Sequence, residues 1–392
     1  MAVEQPLSQI ATITMGTSPK GDTYNQNGEG LPLLNGPTEF GSVHPNCTLF
    51  TTKSVRVGQT GDLIFCVRGS TTGRMNWADR VYSLGRGVCS IRGKSNSDIR
   101  FIKYCLDWKL ESLLKMAGGG TFPNLTQDTI RSFEIPFPES RRKIAAILSA
   151  YDNLIENNLR RIKILEEMEQ NLYREWFVKF RFPGHQQARF VDSPLGRIPE
   201  GWTVRNIGEV TLNFDRLRKP LSSMQRAERK GIYPYYGAAK IFDFIDDYIF
   251  DGIYLLVAED GSVVTKDRKP VLQYISGKFW PNNHTHILQG KNSVTTEFLY
   301  MVLSEVDITG YITGAAQPKI TQENLNRIPI IVAEDSILQV FNEFIREVFR
   351  EKIVLGEKNK VLRYTRDLLL PKLISCEVDV SELEITIPEE AV

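Results

Sequence analysis

The 392-residue sequence predicts an α+β protein: two similar β-rich α/β domains, joined and separated by two long helices packed as an antiparallel coiled coil. Three observations predict this fold class. Part of the chain occurs twice, each copy opens with short β-rich runs, and each copy closes with a long helix whose apolar residues follow a heptad pattern. The two copies form an internal repeat, which antiparallel helices would relate by a pseudo-two-fold axis.

The repeat is clearest where the β-rich part of each copy ends. Residues Gly119–Ile130 align without gaps with Gly314–Leu325, an offset of 195 counted from Gly119 to Gly314, and both segments contain a Thr-Gln pair. Elsewhere the matching residues are offset by 197, at Ile10/Ile207, Ile13/Val210, Thr14/Thr211, Gly93/Gly290, Phe101/Phe298 and Leu106/Leu303. Because several matches occur in the same order, we interpret the chain as a tandem duplication.

Each copy has the same predicted order of elements. Short apolar runs with turn residues between them predict strands, as at Asp62–Val67 and Gly252–Val257. A short helix, a glycine-containing loop and a strand that ends at Pro136 or Pro329 follow in turn. Each domain is therefore expected to be rich in strands and to lead into a helix.

The two long helices are predicted from segments that lack helix breakers. Residues Glu139–Lys179 contain neither glycine nor proline, and Glu334–Leu370 contain only Gly356. Heptad positions occupied by apolar residues predict that each helix, roughly 55 Å long, buries a stripe against the other copy. The alternative is that each helix packs only on its own domain.

Polar residues at heptad positions suggest a register for this pair. Setting Ile162 of the first helix opposite Asn359 of the second brings Glu169 close to Lys352. An ion pair at this position would fix the register more than it would stabilise the fold.

The composition is that of an ordinary globular protein, with 42% apolar and 24% charged residues. The five cysteines are scattered, which favours reduced thiols over a disulfide framework. The N-terminal segment does not resemble a secretory leader, and no apolar run is long enough to cross a bilayer. We therefore expect a cytoplasmic protein.

The net charge of +1 hides an uneven distribution. The segment Glu377–Val392 carries six acids and no bases, and the rest of the chain holds 48 bases against 41 acids. Basic clusters occur at Arg141–Lys143, Arg216–Lys219 and Arg226–Lys230. Such clusters are candidates for contacts with nucleic acid, although any one of them is also compatible with an ordinary solvated surface.

Catalytic motifs are missing from the sequence. It contains no GxxxxGK[ST] phosphate loop, no [DNS]PP[YFW] tetrapeptide and no FxGxG, so we expect neither a nucleotide-driven motor nor an amino-methyltransferase site. His284 and His286 form the only pair of closely spaced histidines. Since no cysteine or carboxylate flanks them at ligand spacing, we interpret them as part of a strand and expect no metal site.

Several segments resemble the specificity subunit of type I restriction–modification enzymes. Arg141–Ile155 is similar to that family's first spacer helix, Asp192–Trp202 to its entry into the second domain, and Gly16–Pro19 and Leu31–Asn35 to the opening of the first domain. The resemblance covers residues 1 to about 375. Glu334–Gln339 departs from the usual entry into the second spacer, which leaves the start of that helix open.

The resemblance implies five segments: a first target-recognition domain at 1–138, a central spacer helix at 139–180, a second target-recognition domain at 181–333, a distal spacer helix at 334–376 and an acidic tail at 377–392. Each recognition domain would read one half of a split target in double-stranded DNA, and the helices would set the gap. The alternative from another class is a two-headed adaptor that binds proteins.

The resemblance also implies partners. Two modification subunits would carry the methyltransferase activity, and two restriction subunits would act as ATP-dependent nucleases. The chain itself would be non-catalytic and hold no cofactor, with S-adenosylmethionine, ATP and magnesium in the partner subunits.

DNA recognition requires side chains that reach base edges, together with cations and loop amides on phosphates. In the first domain, three loops supply the candidates Lys20, Arg68, Ser70, Thr71, Arg74, Gly119, Gly120, Thr121 and Asn124. In the second domain, the candidates are Arg216, Arg218, Lys219, Lys240, Asn282, Asn283, Gln317 and Lys319. The glycine run is also compatible with a hinge, and Tyr235 and Tyr236 are interpreted as core residues rather than stacking platforms.

Overall fold

The computed structural model describes residues 3–118, 122–314 and 317–387. The chain divides into two compact units, a first unit of residues 1–157 with 359–392 and a second unit of residues 158–358. Each unit contains one β-rich domain and the adjoining parts of both long helices. The five predicted segments therefore do not coincide with the compact units, and their limits remain a prediction.

In the first unit the strands are short. They are β1 (Glu4–Pro6), β2 (Ala11–Met15), β3 (Tyr24–Asn25), β4 (Leu31–Leu34), β5 (Phe50–Thr51), β6 (Val57–Gly58), β7 (Leu63–Cys66), β8 (Met75–Trp77), β9 (Tyr82–Leu84), β10 (Val88–Gly93) and β11 (Glu134–Pro136). The helices are α1 (Leu7–Ile10), α2 (Asn96–Trp108), α3 (Leu110–Lys115) and α4 (Gln127–Ser132), followed by the long helix α5 (Arg141–Tyr173).

The second unit has longer strands. They are β12 (Phe190–Ser193), β13 (Gly196–Pro199), β14 (Thr203–Asn206), β15 (Thr211–Asn213), β16 (Lys230–Tyr236), β17 (Ile241–Ile245), β18 (Phe250–Ala258), β19 (Leu272–Pro281), β20 (Thr285–Gly290) and β21 (Pro329–Val332). The helices are α6 (Ile207–Val210), α7 (Ser223–Glu228), α8 (Thr296–Glu305) and α9 (Gln322–Asn326), followed by α10 (Asp335–Ile374).

The sheets of the two units share a plan. In the first unit the order β2-β10-β7-β8 forms the main sheet, beside a five-stranded sheet in the order β3-β5-β4-β9-β6 and the pair β1-β11. In the second unit the main sheet has the order β15-β20-β18-β19-β16-β17, beside the pairs β14-β21 and β12-β13. The three strands that open each main sheet correspond, and so do the pairs β1-β11 and β14-β21. The duplication predicted from the sequence is therefore present in the topology.

The helices α1 and α6 correct one part of the sequence alignment. The amide of Leu7 donates to the carbonyl of Phe133 at 3.0 Å, and the amide of Ile207 donates to Ile328 at 2.9 Å. Leu7 therefore corresponds to Ile207, an offset of 200, and the predicted matches Ile10/Ile207, Ile13/Val210 and Thr14/Thr211 are wrong. The error arose because both helices bury apolar residues three positions apart, so a shift of three residues still aligns apolar with apolar.

The repeated Thr-Gln pair begins a helix in both units. The hydroxyl of Thr126 accepts a hydrogen bond from the amide of Thr129 at 3.2 Å, and that of Thr321 accepts one from Asn324 at 3.2 Å. Threonine is a favoured N-cap because its side chain satisfies an amide that has no partner within the helix. The most similar segment of the two copies thus starts α4 and α9.

Within each unit, the parts of α5 and α10 run antiparallel. In the first unit, Asp152 on α5 binds Arg366 at 2.6 Å, and the buried Asn359 donates to the carbonyl of Ile155 at 3.4 Å. The heptad register predicts Ile162, seven residues further along α5 than Ile155, as the partner of Asn359. From Ile155 back to Asp152 on α5, the partner on α10 advances from Asn359 to Arg366, as expected of antiparallel helices.

In the second unit, both carboxylate oxygens of Glu169 lie 2.7 Å from the Nζ atom of Lys352. Four residues further along α5, the ring of Tyr173 contacts that of Phe341, with centroids 6.4 Å apart. The antiparallel pairing and the Glu169–Lys352 ion pair, both predicted from the heptads, are confirmed. Phe341 also contacts Phe298 on α8, with centroids 5.9 Å apart, so α10 packs on its own domain as well as on α5.

The first part of the predicted acidic tail belongs to the first unit. Val380 is 2% exposed and lies in the core of that unit, and the carbonyl of Ser381 accepts a hydrogen bond from Lys143. This part of the tail is therefore packed against the domain.

Among the described residues, no helix combines the length and apolarity needed to cross a membrane.

Candidate nucleic-acid interface

Four segments meet at one edge of the main sheet in the first unit. They follow β2 (residues 16–22), follow β7 (68–74), connect β9 to β10 (84–88) and precede α4 (118 and 122–124). Backbone hydrogen bonds join them: Thr17 donates to Leu84 at 2.8 Å, Val67 to Gly87 at 2.9 Å, and Leu125 to Val67 at 2.9 Å. We call this group of segments the first loop edge.

The second unit repeats this arrangement with the segments 214–219, 259–270, 282–284 and 313–314 with 317–319. Glu259 donates to the carbonyl of His284 at 2.9 Å, and Ile320 donates to that of Glu259 at 2.9 Å, as Val67 and Leu125 do in the first unit. Thr313 and Lys319 exchange backbone hydrogen bonds of 2.8 Å each. We call this group the second loop edge. Its segments are joined by backbone hydrogen bonds equivalent to those of the first loop edge.

Two glycines and one threonine shape the segment 68–74. Gly69 and Gly73 have φ angles of 95° and 96°, which residues other than glycine rarely adopt. A Cβ atom on Gly73 would also lie 2.6 Å from the side chain of Leu110. The Thr72 hydroxyl lies 2.8 Å from the carbonyl of Gly69 and 3.1 Å from that of Pro123, so it ties this segment to 118–124.

The described candidates of the first loop edge lie together at its surface. Lys20, Arg68, Ser70 and Arg74 are exposed, and Thr71 and Asn124 are partly buried. Arg68 and Asn124 are paired through a β-bridge, which brings two of the predicted loops into contact. The remaining candidates, Gly119, Gly120 and Thr121, lie outside the described residues.

The cations of the first loop edge face solvent. The guanidinium of Arg74 lies over the ring of Phe40, 5.9 Å from its centroid, and 3.5 Å from the carbonyl of Pro37. Across the described ranges, we find no ion pair for Lys20, Arg68 or Arg74. Their charges are therefore available to an anionic partner.

Sequence analysis missed Arg86, which lies in the same edge. It is exposed, and its amide donates to the hydroxyl of Ser18 at 3.3 Å, so it lies between the segments after β2 and after β7. An arginine between Gly85 and Gly87 in a turn was a signal that could have identified it, because close backbone turns bring such side chains to a surface.

The second loop edge contains an internal network of charges. The Arg218 side chain is 18% exposed and donates to Glu259 at 2.6 Å and to the carbonyls of Asn283 and Thr285 at 3.3 and 3.0 Å. The Nζ atom of Lys319 lies 3.1 Å from the same carboxylate. Arg218 therefore joins three loop segments, and most of its donors are used inside the protein.

His286 and Asp215 continue this network toward the core. The Nδ1 atom of His286 lies 2.6 Å from Asp215, and both side chains are nearly inaccessible to solvent. Burial alone would raise the pKa of Asp215 and Glu259. The hydrogen bonds from His286 to Asp215 and from Arg218 to Glu259 outweigh this effect and hold the pKa of each carboxyl below its usual value.

Asp215, Glu259 and His286 are of the residue types that bind metals, and their ligand atoms lie within 4.8 Å of one another. Both carboxylates, however, already bind protein side chains, those of Arg218, Lys319 and His286. This arrangement satisfies the charges without a metal ion, so we interpret it as an ion-pair network.

The other candidates of the second unit differ in exposure. Arg216, Lys219, Lys240, Asn283, Gln317 and Lys319 are exposed. Asn282 is 4% exposed, and its Oδ1 atom accepts the amide of His284 at 2.8 Å, so it shapes the loop. Tyr235 is buried and bonded to Leu221, as expected of a core residue, and Tyr236 is partly buried.

Each loop edge thus offers exposed cations beside amide or hydroxyl side chains on a rigid frame. Cations and loop amides suit phosphate oxygens, and the short polar side chains suit the donors and acceptors of base edges. Arg68 with Ser70 in the first edge, and Lys319 with Gln317 in the second, are examples of this combination. The chemistry favours a nucleic-acid duplex as ligand.

Comparison with known proteins agrees with this chemistry. The sequence model of the type I restriction modification DNA specificity domain matches the chain twice, over residues 3–167 and 199–361. The MjaIX specificity subunit of a type I restriction enzyme from Methanocaldococcus jannaschii is 26% identical over 357 residues, covering 84% of this chain and 80% of the relative. The HindI specificity subunit from Haemophilus influenzae is 24% identical over 332 residues, covering 66% and 72%.

A solved structure has the same fold. The S subunit of a type I restriction–modification system from M. genitalium aligns with a TM-score of 0.65 at 17% identity, covering 95% of this chain and 96% of the other. At this identity the alignment is evidence for the fold alone.

Proposed function

The chain belongs to the family of type I restriction modification DNA specificity domains, and from this premise we propose that its two loop edges each read one half of a split DNA target. The chain would direct a type I restriction–modification complex to that target. The observation that carries the proposal is the repeated frame: two edges with equivalent backbone hydrogen bonds present different side chains.

In the first loop edge, Arg68, Arg74 and Lys20 are suited to phosphates or guanine edges, and Ser70 and Thr71 to neighbouring bases. The buried contacts of Thr72 support this assignment, because they hold the loop in one shape before DNA arrives. Arg86 joins this set as a further phosphate contact.

In the second loop edge, we assign direct contacts to Arg216, Lys219, Asn283, Gln317 and Lys319, all of which are exposed. Lys240 lies in the turn between β16 and β17 and is assigned a peripheral phosphate contact. Arg218 and Asn282 are assigned the task of holding the loops, since their polar atoms bond to backbone groups.

The chain itself would do no chemistry. We propose that two modification subunits bring the methyltransferase activity and its S-adenosylmethionine, and that two restriction subunits bring the nuclease with ATP and magnesium. Membership of a specificity family supports this division of labour, as does the use of the buried carboxylates in ion pairs rather than at a reactive centre.

The long helices would set the gap between the half-sites. Inserting one heptad into α5, between Leu159 and Glu169, lengthens the helix by about 10 Å, which equals roughly three base pairs of DNA rise at 3.4 Å each. We expect both half-site sequences to be retained and the preferred gap to shift or be lost. Sequencing of methylated sites measures this, and an unchanged gap with full activity would mean that these helices do not set it.

Salt dependence distinguishes DNA reading from the adaptor alternative. Binding of the full chain, with its modification partner, to duplex DNA should weaken linearly in log K against log salt, because each neutralised phosphate releases counterions. A control duplex with the target scrambled should retain the salt slope but bind less tightly. Absence of any salt-dependent binding would contradict the proposal and favour a protein ligand.

A further inference from the structure

His286 is nearly completely buried, at 1% exposure, beneath the second loop edge. Its Nδ1 atom lies 2.6 Å from Oδ2 of Asp215, and its Nε2 atom lies 2.9 Å from the carbonyl oxygen of Ile320. A backbone carbonyl can only accept a hydrogen bond. The Nε2 atom must therefore carry a proton.

The same reasoning applies to Nδ1, because Asp215 is a carboxylate. Its other oxygen accepts the amide of Ile287 at 2.8 Å, and the guanidinium of Arg218 lies 3.7 Å away. Two donors other than His286 therefore face this carboxylate, as expected of its ionised form. An ionised carboxylate only accepts, so Nδ1 is protonated as well, and the ring is an imidazolium.

This ring joins two parts of the second loop edge. Asp215 belongs to the segment after β15, and Ile320 directly follows residues 317–319, which include Gln317 and Lys319. We propose, on the basis of the proposed function, that the His286 imidazolium clamps these two segments together, so that reading of the second half-site, but not the first, depends on its proton. His286 is thus a positioning residue, which acts on DNA through the loops it holds.

The charges around the ring make the doubly protonated form favourable. Glu259 faces it at 3.8 Å, and the cations of Arg218 and Lys319 bind Glu259 on its other sides. Asp260 is engaged by His284, 2.7 Å away, in an adjacent pair. The ring therefore lies among two carboxylates whose charges are shared with two other cations.

The proton requirement of the clamp follows from these contacts. A ring that carried only one proton would leave either Ile320 or Asp215 without its donor. A protonated Asp215 would no longer be an ionised acceptor for the ring, and the pKa of this carboxyl lies below its usual value. The clamp therefore needs a proton on both ring nitrogens and an ionised Asp215.

The first loop edge has no such group at the matching position. Cys89 pairs with Phe65 in the first main sheet as His286 pairs with Val257 in the second, so Cys89 occupies the place of His286. Cys89 is buried, and burial raises the pKa of its thiol. The first unit is therefore an internal control for pH effects on DNA binding.

Nitrogen NMR of the histidine rings in the full chain tests the charge state. The chain has four histidines, so the signals of His286 are identified by elimination, by comparison with H44Q, H185Q and H284Q. We expect both ring nitrogens of His286 to be protonated at neutral pH. A neutral ring at neutral pH would overturn the proposal, and because this measurement uses the unaltered chain, it stands even if H286Q fails to fold.

Binding to half-altered duplexes tests the consequence. Methylation mapping supplies the two half-sites, and duplexes with one half scrambled separate their contributions. We expect the second half-site contribution to fall at least about tenfold, the effect of losing one charged hydrogen bond, in H286Q and on raising the pH of the wild type, with the first half-site unchanged. H185Q, at a histidine of the second unit that lies outside both loop edges, should keep the wild-type pH profile.

The outcomes distinguish this inference from the proposed function. Equal loss at both half-sites, or an unaltered pH profile in H286Q, would overturn the clamp while leaving DNA reading intact. Absence of sequence-specific binding at every pH would contradict the proposed function itself, and the NMR result would still decide whether His286 is an imidazolium.

Discussion

The first loop edge presents Arg68 where the second presents Asp260, and Asn124 where the second presents Lys319. The backbone bonds that fix these positions are the same in both edges. In the first edge the cations face solvent, whereas in the second Arg218 and Lys319 bind Glu259. The two copies thus share the backbone hydrogen bonds of the loop edge but carry different side chains on it. The two half-sites are therefore expected to differ in sequence.

The ion pairs between the long helices also differ between the two units, and they give the largest expected effect on stability. Glu169 and Lys352 in the second unit are 2% and 15% exposed, whereas Asp152 and Arg366 in the first are 31% and 25% exposed. K352A leaves a carboxylate buried without its partner, which costs about 3–5 kcal/mol, whereas R366A should cost about 1 kcal/mol or less. Amide hydrogen exchange, read separately for each unit, measures both.

The matched control replaces the whole buried pair. The double variant E169L/K352M leaves no unpaired charge and should recover most of the stability lost in K352A. Similar losses in K352A and R366A would mean that burial does not distinguish the two pairs.

The second largest effect on stability is expected at Arg218, which holds loop segments together, in comparison with the exposed Arg216. R218A removes a buried donor from Glu259 and two carbonyls, and we expect it to destabilise the second loop edge by about 2–3 kcal/mol. R216A, at an exposed position two residues earlier, should change stability by less than about 0.5 kcal/mol. Urea unfolding followed by the fluorescence of Trp280, which donates to the carbonyl of Lys219, reports on this region. Equal effects of the two variants would refute the structural role of Arg218.

How far the sequence predicts these features depends on how close in the chain the partners lie. The Glu169–Lys352 pair was predictable because heptad spacing fixes which residues face a partner helix. The contacts of His286 were not, since Asp215 and Ile320 lie 71 and 34 residues away and the loops between them have no periodic pattern.

The same limit applies to the side chains of the loops. Arg218 and Asn282 were predicted as DNA contacts from residue type, but only the packing reveals that their polar groups bond to the backbone. Arg86 was overlooked because a single arginine in a turn forms no cluster. The exposed candidates could be selected from the sequence by residue type. The side chains that hold the loops could be recognised only from their burial in the structure.

A smaller effect is expected for the exposed cations of the first loop edge. R68A/R74A should leave stability within about 0.5 kcal/mol, because these side chains form no ion pair within the described ranges. DNA affinity should fall about tenfold, and the slope of log K against log salt should decrease by about 2 if both contact phosphates. Titration of labelled duplex at several salt concentrations measures both quantities.

The control for this pair lies elsewhere on the same unit. Lys94 and Arg100 are exposed near the opposite end of β10, and K94A/R100A removes the same charge from the first unit. If the control pair lowers affinity as much as R68A/R74A, the effect belongs to net charge and not to the loop edge.

Replacement of one recognition domain tests the central claim most directly. The measurement is a map of methylated sites in a genome that expresses, with its modification partner, a chain whose residues 1–138 come from another family member. If each loop edge reads its own half-site, one half of the methylated sequence changes while the other half and the gap are retained. A map in which both halves change would contradict independent reading by the two edges.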